Sequence, residues 1–284
     1  MIIVKTGGAK GIDDGPVLDD IRQLVASGEP VILVHGGSEE TNELASRLGH
    51  PPRFVTSISG FVSRFTDQRT MEIFTMVYCG RRNKALVEGL QQRGVNAVGL
   101  SGADGRIFEG PIKTSVKTID NGKKVVLHGD HTGKVSKINT ALLELLIKGG
   151  YMPVLTPPAI SEETSQLMNV DGDRAAAQLA VAMKAKSLVI LSNVPGLLRD
   201  VNADWNDPEN LVTTIDLGTD ADPYRFAQGR MKKKIMGAVE AVRDGVGRVI
   251  FASANRQAPI TSALQGHGTV ISTSTGSIVQ ADGD

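Results

Sequence analysis

A single cysteine, Cys79, stands among 284 residues, so no internal disulfide can form and nothing calls for an oxidising compartment. Aromatic side chains are scarce as well. They make up 4% of the chain, with three tyrosines and one tryptophan, too few for the stacking platforms that hold nucleic-acid bases. Neither sign of charge dominates: 31 Lys and Arg face 31 Asp and Glu, leaving no overall field to draw nucleic acid or a membrane surface. Apolar runs fall short of the ~18 residues that cross a bilayer. The opening MIIVKTGGAKG has too short an apolar stretch for a signal peptide. A soluble, cytoplasmic protein is expected, bound to neither nucleic acid nor membrane.

Familiar catalytic fingerprints are missing too. There is no HExxH, no CxxC, no GxSxG and no GxGxxG after a strand. GDHTGK at 129–134 approximates a phosphate-binding Walker loop, but its glycines stand one residue too close and Val135 replaces the required Ser or Thr.

What is present is a rhythm. Short apolar runs at 1–4, 30–34, 97–100, 152–155, 187–191 and 248–252 are separated by amphipathic segments such as 16–27, 83–93, 138–148 and 173–183. Continuously apolar strands alternating with helices predict a mainly parallel sheet buried on both faces, a three-layer αβα sandwich of the α/β class. Two stretches break the rhythm. Residues 107–135 carry alternating strands around Asp120-Asn121-Gly122, a hairpin turn signal. Residues 202–223 read as a polar loop, and the Ser/Thr/Gly-rich tail after Ser272 as frayed.

Two strand ends carry chemistry. The first leads into Lys5-Thr6-Gly7-Gly8 and the second into His35-Gly36-Gly37-Ser38. In open α/β sheets ligands bind beyond the carboxyl ends of strands. Paired glycines there let backbone N–H groups approach phosphate oxygens, and a lysine adds charge. The plain alternative is two tight turns with a solvated lysine, and His35 fits a hydrogen-bonded structural role. Arg64, in VSRFTD, suits bidentate capture of a carboxylate or a surface ion pair. Asp173, after Asn169 and Asp171, sits where a helix should start and reads as its N-cap or a first-turn acid; the alternative is that Asp171 and Asp173 pair to orient lysines or a metal. Lys232, Lys233 and Lys234 open another helix. Cations are disfavoured at that end unless an anion meets them.

Taken in order, VKTGG, LVHGGS, SRFTD, MVYCGRRNKALV, GLSGADG, MPVLTPPA, MNVDGDRAA, LSNVPGLL and GRMKKKIMGAVEAV resemble the amino acid kinase family, over residues 1 to about 271. GHPPRF and VSRFTDQRTMEIF resemble the branch whose members act on 2-aminoadipate or glutamate attached to a small, acidic amino-group carrier protein. The resemblance implies ATP and Mg²⁺ as cofactors, acyl phosphate formation in amino-acid biosynthesis, and a homodimer paired through the helix that starts near Asp67. It implies catalytic roles for Lys5, Lys234 and Asp173. Gly36, Gly37, Arg64 and Asn169 would bind the acceptor, while Gly7, Gly8, Ser192, Asn193 and Gly196 would meet phosphate and nucleotide. No protein metal ligands are expected. Residues 1–170 would form the acceptor lobe with the dimer contact, and 171–284 the ATP lobe. The chain departs from the family pattern at Arg230, where relatives carry glycine, and at Asp171-Gly172-Asp173, where they carry Asn-Ala-Asp.

From Lys113 to Lys137 six lysines face two aspartates, a local excess of four positive charges in a neutral chain. An acidic carrier docking near Lys117, Lys123 and Lys124 is expected, against the alternative that these lysines only protect strand edges. A kinase for free N-acetylglutamate and a non-catalytic nucleotide-binding protein are the competing readings.

Overall fold

Five consecutive buried residues, Ile2–Thr6, make the first strand, and their alternation divides the molecule. Ile2 and Val4 enter one apolar core and Ile3 the other. In the computed structural model, which describes residues 1–58, 60, 62–120, 123–205 and 207–273, this pattern recurs along one sheet. Its strands are β1 (Ile2–Thr6), β2 (Val31–His35), β3 (Ala97–Ser101), β4 (Met152–Thr156), β5 (Ser187–Ser192), β6 (Thr214–Asp216), β7 (Arg248–Ser253) and β8 (Thr269–Ser272). They lie in the order β6-β8-β7-β5-β1-β2-β4-β3. Neighbours are parallel except β7 and β8, so β8 and β6 run against the other six.

Helices cover both faces. On one, α1 (Asp14–Ala26), α4 (Asn83–Gln91) and α8 (Pro259–Leu264) place Val17, Ile21, Leu86, Leu90 and Ile260 on Val4, Leu33 and Val189. On the other, α5 (Thr140–Lys148), α6 (Gly172–Ala182) and α7 (Gly229–Arg243) place Leu143, Leu179, Ile235 and Val239 on Ile3, Ile32 and Ile190. Burying each such side chain contributes about 1.5–3 kcal/mol before chain entropy is counted. The expected three-layer sandwich is the architecture observed.

Above the sheet's carboxyl edge lie α2 (Ser38–Arg47), a hairpin of Arg53–Thr56 and Val62–Phe65, and a longer hairpin of Ile112–Asp120 and Lys123–Gly133. The predicted turn residues Asn121 and Gly122 lie outside the described residues, as does the tail from 274 to 284. The helix expected near Asp67 is α3 (Gln68–Thr75), with Asp67 as its N-cap accepting from the Thr70 N–H at 2.7 Å. It passes into a π-helical segment, Met76–Arg82, before α4. Residues 202–223 differ from the expected loop, because β6 inside them joins the sheet by burying Ile215. Three residues are too few for period-2 alternation to register.

Candidate active site

The chain runs from β1 to β2 on one side, while β5 flanks β1 on the other, so the crevice lies beyond the carboxyl ends of these central strands. Lys5, the penultimate residue of β1, is buried and ion-paired with Asp173 Oδ1 in the first turn of α6. The other carboxylate oxygen lies 3.0 Å from Lys234 Nζ, on α7. Burial alone would push the Asp173 carboxyl up, but the ammonium groups of Lys5 and Lys234 outweigh it and hold it far below the usual carboxylate range. One carboxylate therefore draws two lysines, 229 positions apart in sequence, to one point.

Asp171 caps α6. Its Oδ1 accepts from the N–H groups of Asp173 (3.0 Å) and Arg174 (3.1 Å), and its Oδ2 lies 3.6 Å from Lys233 Nζ. The lysine triplet is thus sorted by helix geometry. Lys234 faces the centre, Lys233 the cap, and Lys232 is exposed.

The two glycine turns meet backbone to backbone. A Cβ at Gly8 would fall 2.4 Å from the Gly37 nitrogen and 2.6 Å from that of Ser38, a clash no side chain escapes. The four glycines are not equivalent. Gly7 N–H donates to Leu191 O at 3.1 Å and Gly36 N–H to Thr6 O at 3.1 Å, so these two close the turns and have no N–H to offer a ligand. The Gly8 N–H meets no acceptor among the described residues. His35 is fully buried between the Gly36 carbonyl (3.0 Å from Nδ1) and the Asn83 amide (3.1 Å from Nε2). Burial pulls its pKa down to about 3, the Gly36 carbonyl opposing and the charges of Arg82, Lys5 and Lys84 assisting. It is a neutral structural ring.

Beside this centre a cavity of about 530 Å³ is lined by Arg64, Asp130, Thr132, Lys134, Asn169 and Asp171, among others. The Arg64 guanidinium lies 5.3 Å from the Phe54 ring centroid, and its Nη2 donates to Ser38 O at 3.3 Å. Its Nη1 is buried with no partner among the described residues, which costs about 1–3 kcal/mol and suits an incoming anion. Asn169 faces the same cavity, with Nδ2 donating to Thr66 Oγ1 at 3.1 Å. Asp130, to which the sequence assigned no site role, is buried here and accepts from Thr66 N–H at 3.0 Å.

The remaining predicted residues line the loop after β5. Ser192 Oγ turns back onto Val194, Asn193 is exposed, and Gly196 is buried where a Cβ would stand 2.6 Å from Thr269 Oγ1. Among the described residues no helix is long and apolar enough to cross a membrane.

The chain has known relatives. A protein of Deinococcus radiodurans named [LysW]-aminoadipate kinase is 60% identical over 273 residues, covering 96% of this chain and 91% of that one. One of the same name from Thermus thermophilus is 55% identical, covering 95% and 100%. The carbamate kinase of Giardia shares the fold at a TM-score of 0.65 and 16% identity, over 96% of this chain and 98% of that one. The model of the amino acid kinase family matches residues 1–253, and the chain belongs to that family.

Proposed function

We propose that this protein is an ATP-dependent kinase that phosphorylates the side-chain carboxylate of 2-aminoadipate, or of glutamate, borne on an amino-group carrier protein, giving an acyl phosphate. The observation that carries the reading is Asp173 gathering Lys5 and Lys234 at the sheet's carboxyl edge, in a chain 60% identical to a protein named [LysW]-aminoadipate kinase.

A carboxylate is already ionised at neutral pH, so the reaction needs no general base. Catalysis then rests on positioning and on offsetting the charge of the transferring phosphoryl group. Lys5 and Lys234 flank that group, oriented by Asp173. The Gly8 and Gly37 N–H groups meet its oxygens or those of the acceptor. Arg64 and Asn169 hold the amino-acid moiety, and Ser192, Asn193 and Gly196 lie against the nucleotide. Among the described residues no group of three or more His, Cys, Asp or Glu could hold a metal. Mg²⁺ would arrive with ATP rather than on dedicated protein ligands, and would supply positive charge to offset that of the phosphates. Residues 1–170 serve the acceptor and 171–284 the nucleotide.

The carrier docks on the long hairpin. Directly paired residues share a face, so Lys117, Val126, Ile119 and Lys124 stand together, while Lys123 lies opposite them beside Asp120. Ile119 and Val126 are exposed, giving a basic and apolar patch that fits an acidic protein. A homodimer forms through the apolar groove of about 760 Å³ along α3 and the π-helical segment, lined by Met71, Met76 and Leu167. Light scattering at micromolar concentration should give twice the chain mass, and a monomer refutes the pairing.

Coupled ADP release tests the activity. Turnover with carrier-linked aminoadipate should far exceed that with free N-acetylglutamate. The reverse preference transfers the enzyme to free substrate, and inactivity on both removes the kinase reading.

A further inference from the structure

Tyr78 sits in the middle of the π-helical segment, whose wide turn aims side chains where a regular helix would not. Its ring stacks on Phe74, with centroids 3.8 Å apart, and backs the second glycine turn. A Cβ at Gly37 would lie 3.2 Å from both Cδ2 and Cε2 of the ring. The hydroxyl points toward the Gly37 N–H and lies within the fields of Arg64, Asp171 and Asp173, the groups of both halves of the site. Tyr78 is buried, and its hydroxyl accepts from the Gly37 N–H, while its own O–H proton has no acceptor among the described residues. A phenol that accepts one hydrogen bond still has a proton to donate, and a ligand in the site can take it. Burial also pushes this phenol up to about 12, so it stands protonated, a donor, at neutral pH.

The segment that presents it is pinned. Arg82 grips Asp14 with two nitrogens, at 2.5 and 2.7 Å, and Arg81 Nε lies 3.1 Å from Glu40. The next residue, Asn83, donates to His35 and to Val154 O, both at 3.1 Å. The Tyr78 hydroxyl and the unpartnered Arg64 Nη1 therefore stand in one another's field beside the same glycine turn.

We propose that Tyr78 contacts the acceptor directly, its hydroxyl donating to the reacting carboxylate beside the Gly37 N–H. The inference rests on the acceptor being a carboxylate, as argued above. The donor holds the oxygen that does not attack, so the acceptor is oriented while the other oxygen stays free to meet the phosphoryl group.

The test is Tyr78→Phe, which keeps the ring, its stack on Phe74 and its packing on Gly37 while removing one oxygen. Kinetics are measured with carrier-linked aminoadipate and with N-acetylglutamate. On whichever acceptor the unaltered enzyme uses, the acceptor KM should rise about tenfold, the scale of one hydrogen bond to a charged group. The ATP KM and kcat should stay within about twofold, and the Tm should hold or rise. A merely structural tyrosine would move Tm and leave the acceptor KM alone. That outcome, or unchanged kinetics, overturns the proposal while leaving the kinase reading intact. An unaltered enzyme inactive on both acceptors overturns the two together.

Discussion

Replacing Asp173 by Asn keeps the shape of the side chain and removes the charge that joins two lysines. The consequence can be worked from the geometry. With the carboxylate gone, two ammonium groups that had shared it repel by roughly 3 kcal/mol at an effective dielectric of about 20. Lys5, buried at 7% exposure, has little water to relieve it. It is displaced, and the donor proposed for the transferring phosphoryl group is lost. Losing one such donor costs about 10²–10³ in kcat. Asp173→Asn should therefore lower kcat by at least about a hundredfold, with a smaller change in the KM for the acceptor. Lys5→Ala and Lys234→Ala should fall in the same range. Lys232→Ala should be nearly silent, and Lys233→Ala mild. Breaking a buried ion cluster also destabilises, by about 3–5 kcal/mol where one partner is left alone, so Tm and circular dichroism must accompany the rates. The assay is coupled ADP release at saturating ATP, on protein shown to be folded. A folded Asp173→Asn enzyme within threefold of the parent kcat refutes the assignment of the centre. A chain in which Lys233 is essential and Lys234 dispensable refutes the sorting of the triplet.

Arg64→Lys should raise the acceptor KM about tenfold or more with little change in the ATP KM, because a point charge cannot reproduce the planar fork. A weakened ATP KM instead would move Arg64 to the nucleotide. His35 is held neutral in the fold at a pKa of about 3, while in the unfolded chain it protonates near 6.5. The unfolded state binds the proton first, so stability is intact above pH 6.5 and falls by about 1.4 kcal/mol per pH unit below it, toward 3. Urea titrations at several pH values between 7 and 4.5 measure that slope, and a flat profile refutes the neutral ring. Lys117→Glu with Lys124→Glu should lower kcat/KM for carrier-borne substrate in a salt-sensitive manner and spare a small free analogue. Equal loss on both substrates removes the docking role.

The legible parts of this molecule share one property, that their signal lies within a few consecutive residues. A strand buried on both faces reads as an apolar run, and paired glycines at its end read as a turn that admits an anion. NVDGD reads as the start of a helix with Asp173 as its cap or first-turn acid; Asp173 stands in the first turn, and the cap is Asp171. What the same window cannot hold is the relation between windows. Nothing local distinguishes Lys234 from Lys233, because the choice depends on α7 lying across α6 so that successive lysines meet Asp173 and Asp171. Gly7 and Gly36 look like Gly8 and Gly37 in sequence, and only the ladders to Leu191 and Thr6 commit their N–H groups. β6 is illegible for the opposite reason, since three residues are too few to show a period.

Tyr78 illustrates the limit most directly. In MEIFTMVYCG it is one apolar residue of a helical run. Had the run stayed α-helical, residues 74 and 78 would share a face, as four-residue spacing requires, and the tyrosine would read as core. The stack on Phe74 keeps that relation, but the π turn that begins at Met76 changes where the following residues fall. Arg82 and Asn83 then reach Asp14 and His35 rather than solvent, and these long-range bonds hold the turn open. The sequence carries every one of these residues, but the pairing that gives the hydroxyl its place spans 68 positions for Arg82 and 48 for Asn83. Loop closure over such distances is decided by the whole fold, which is why a site can be spelled out in full and still need its geometry to be found.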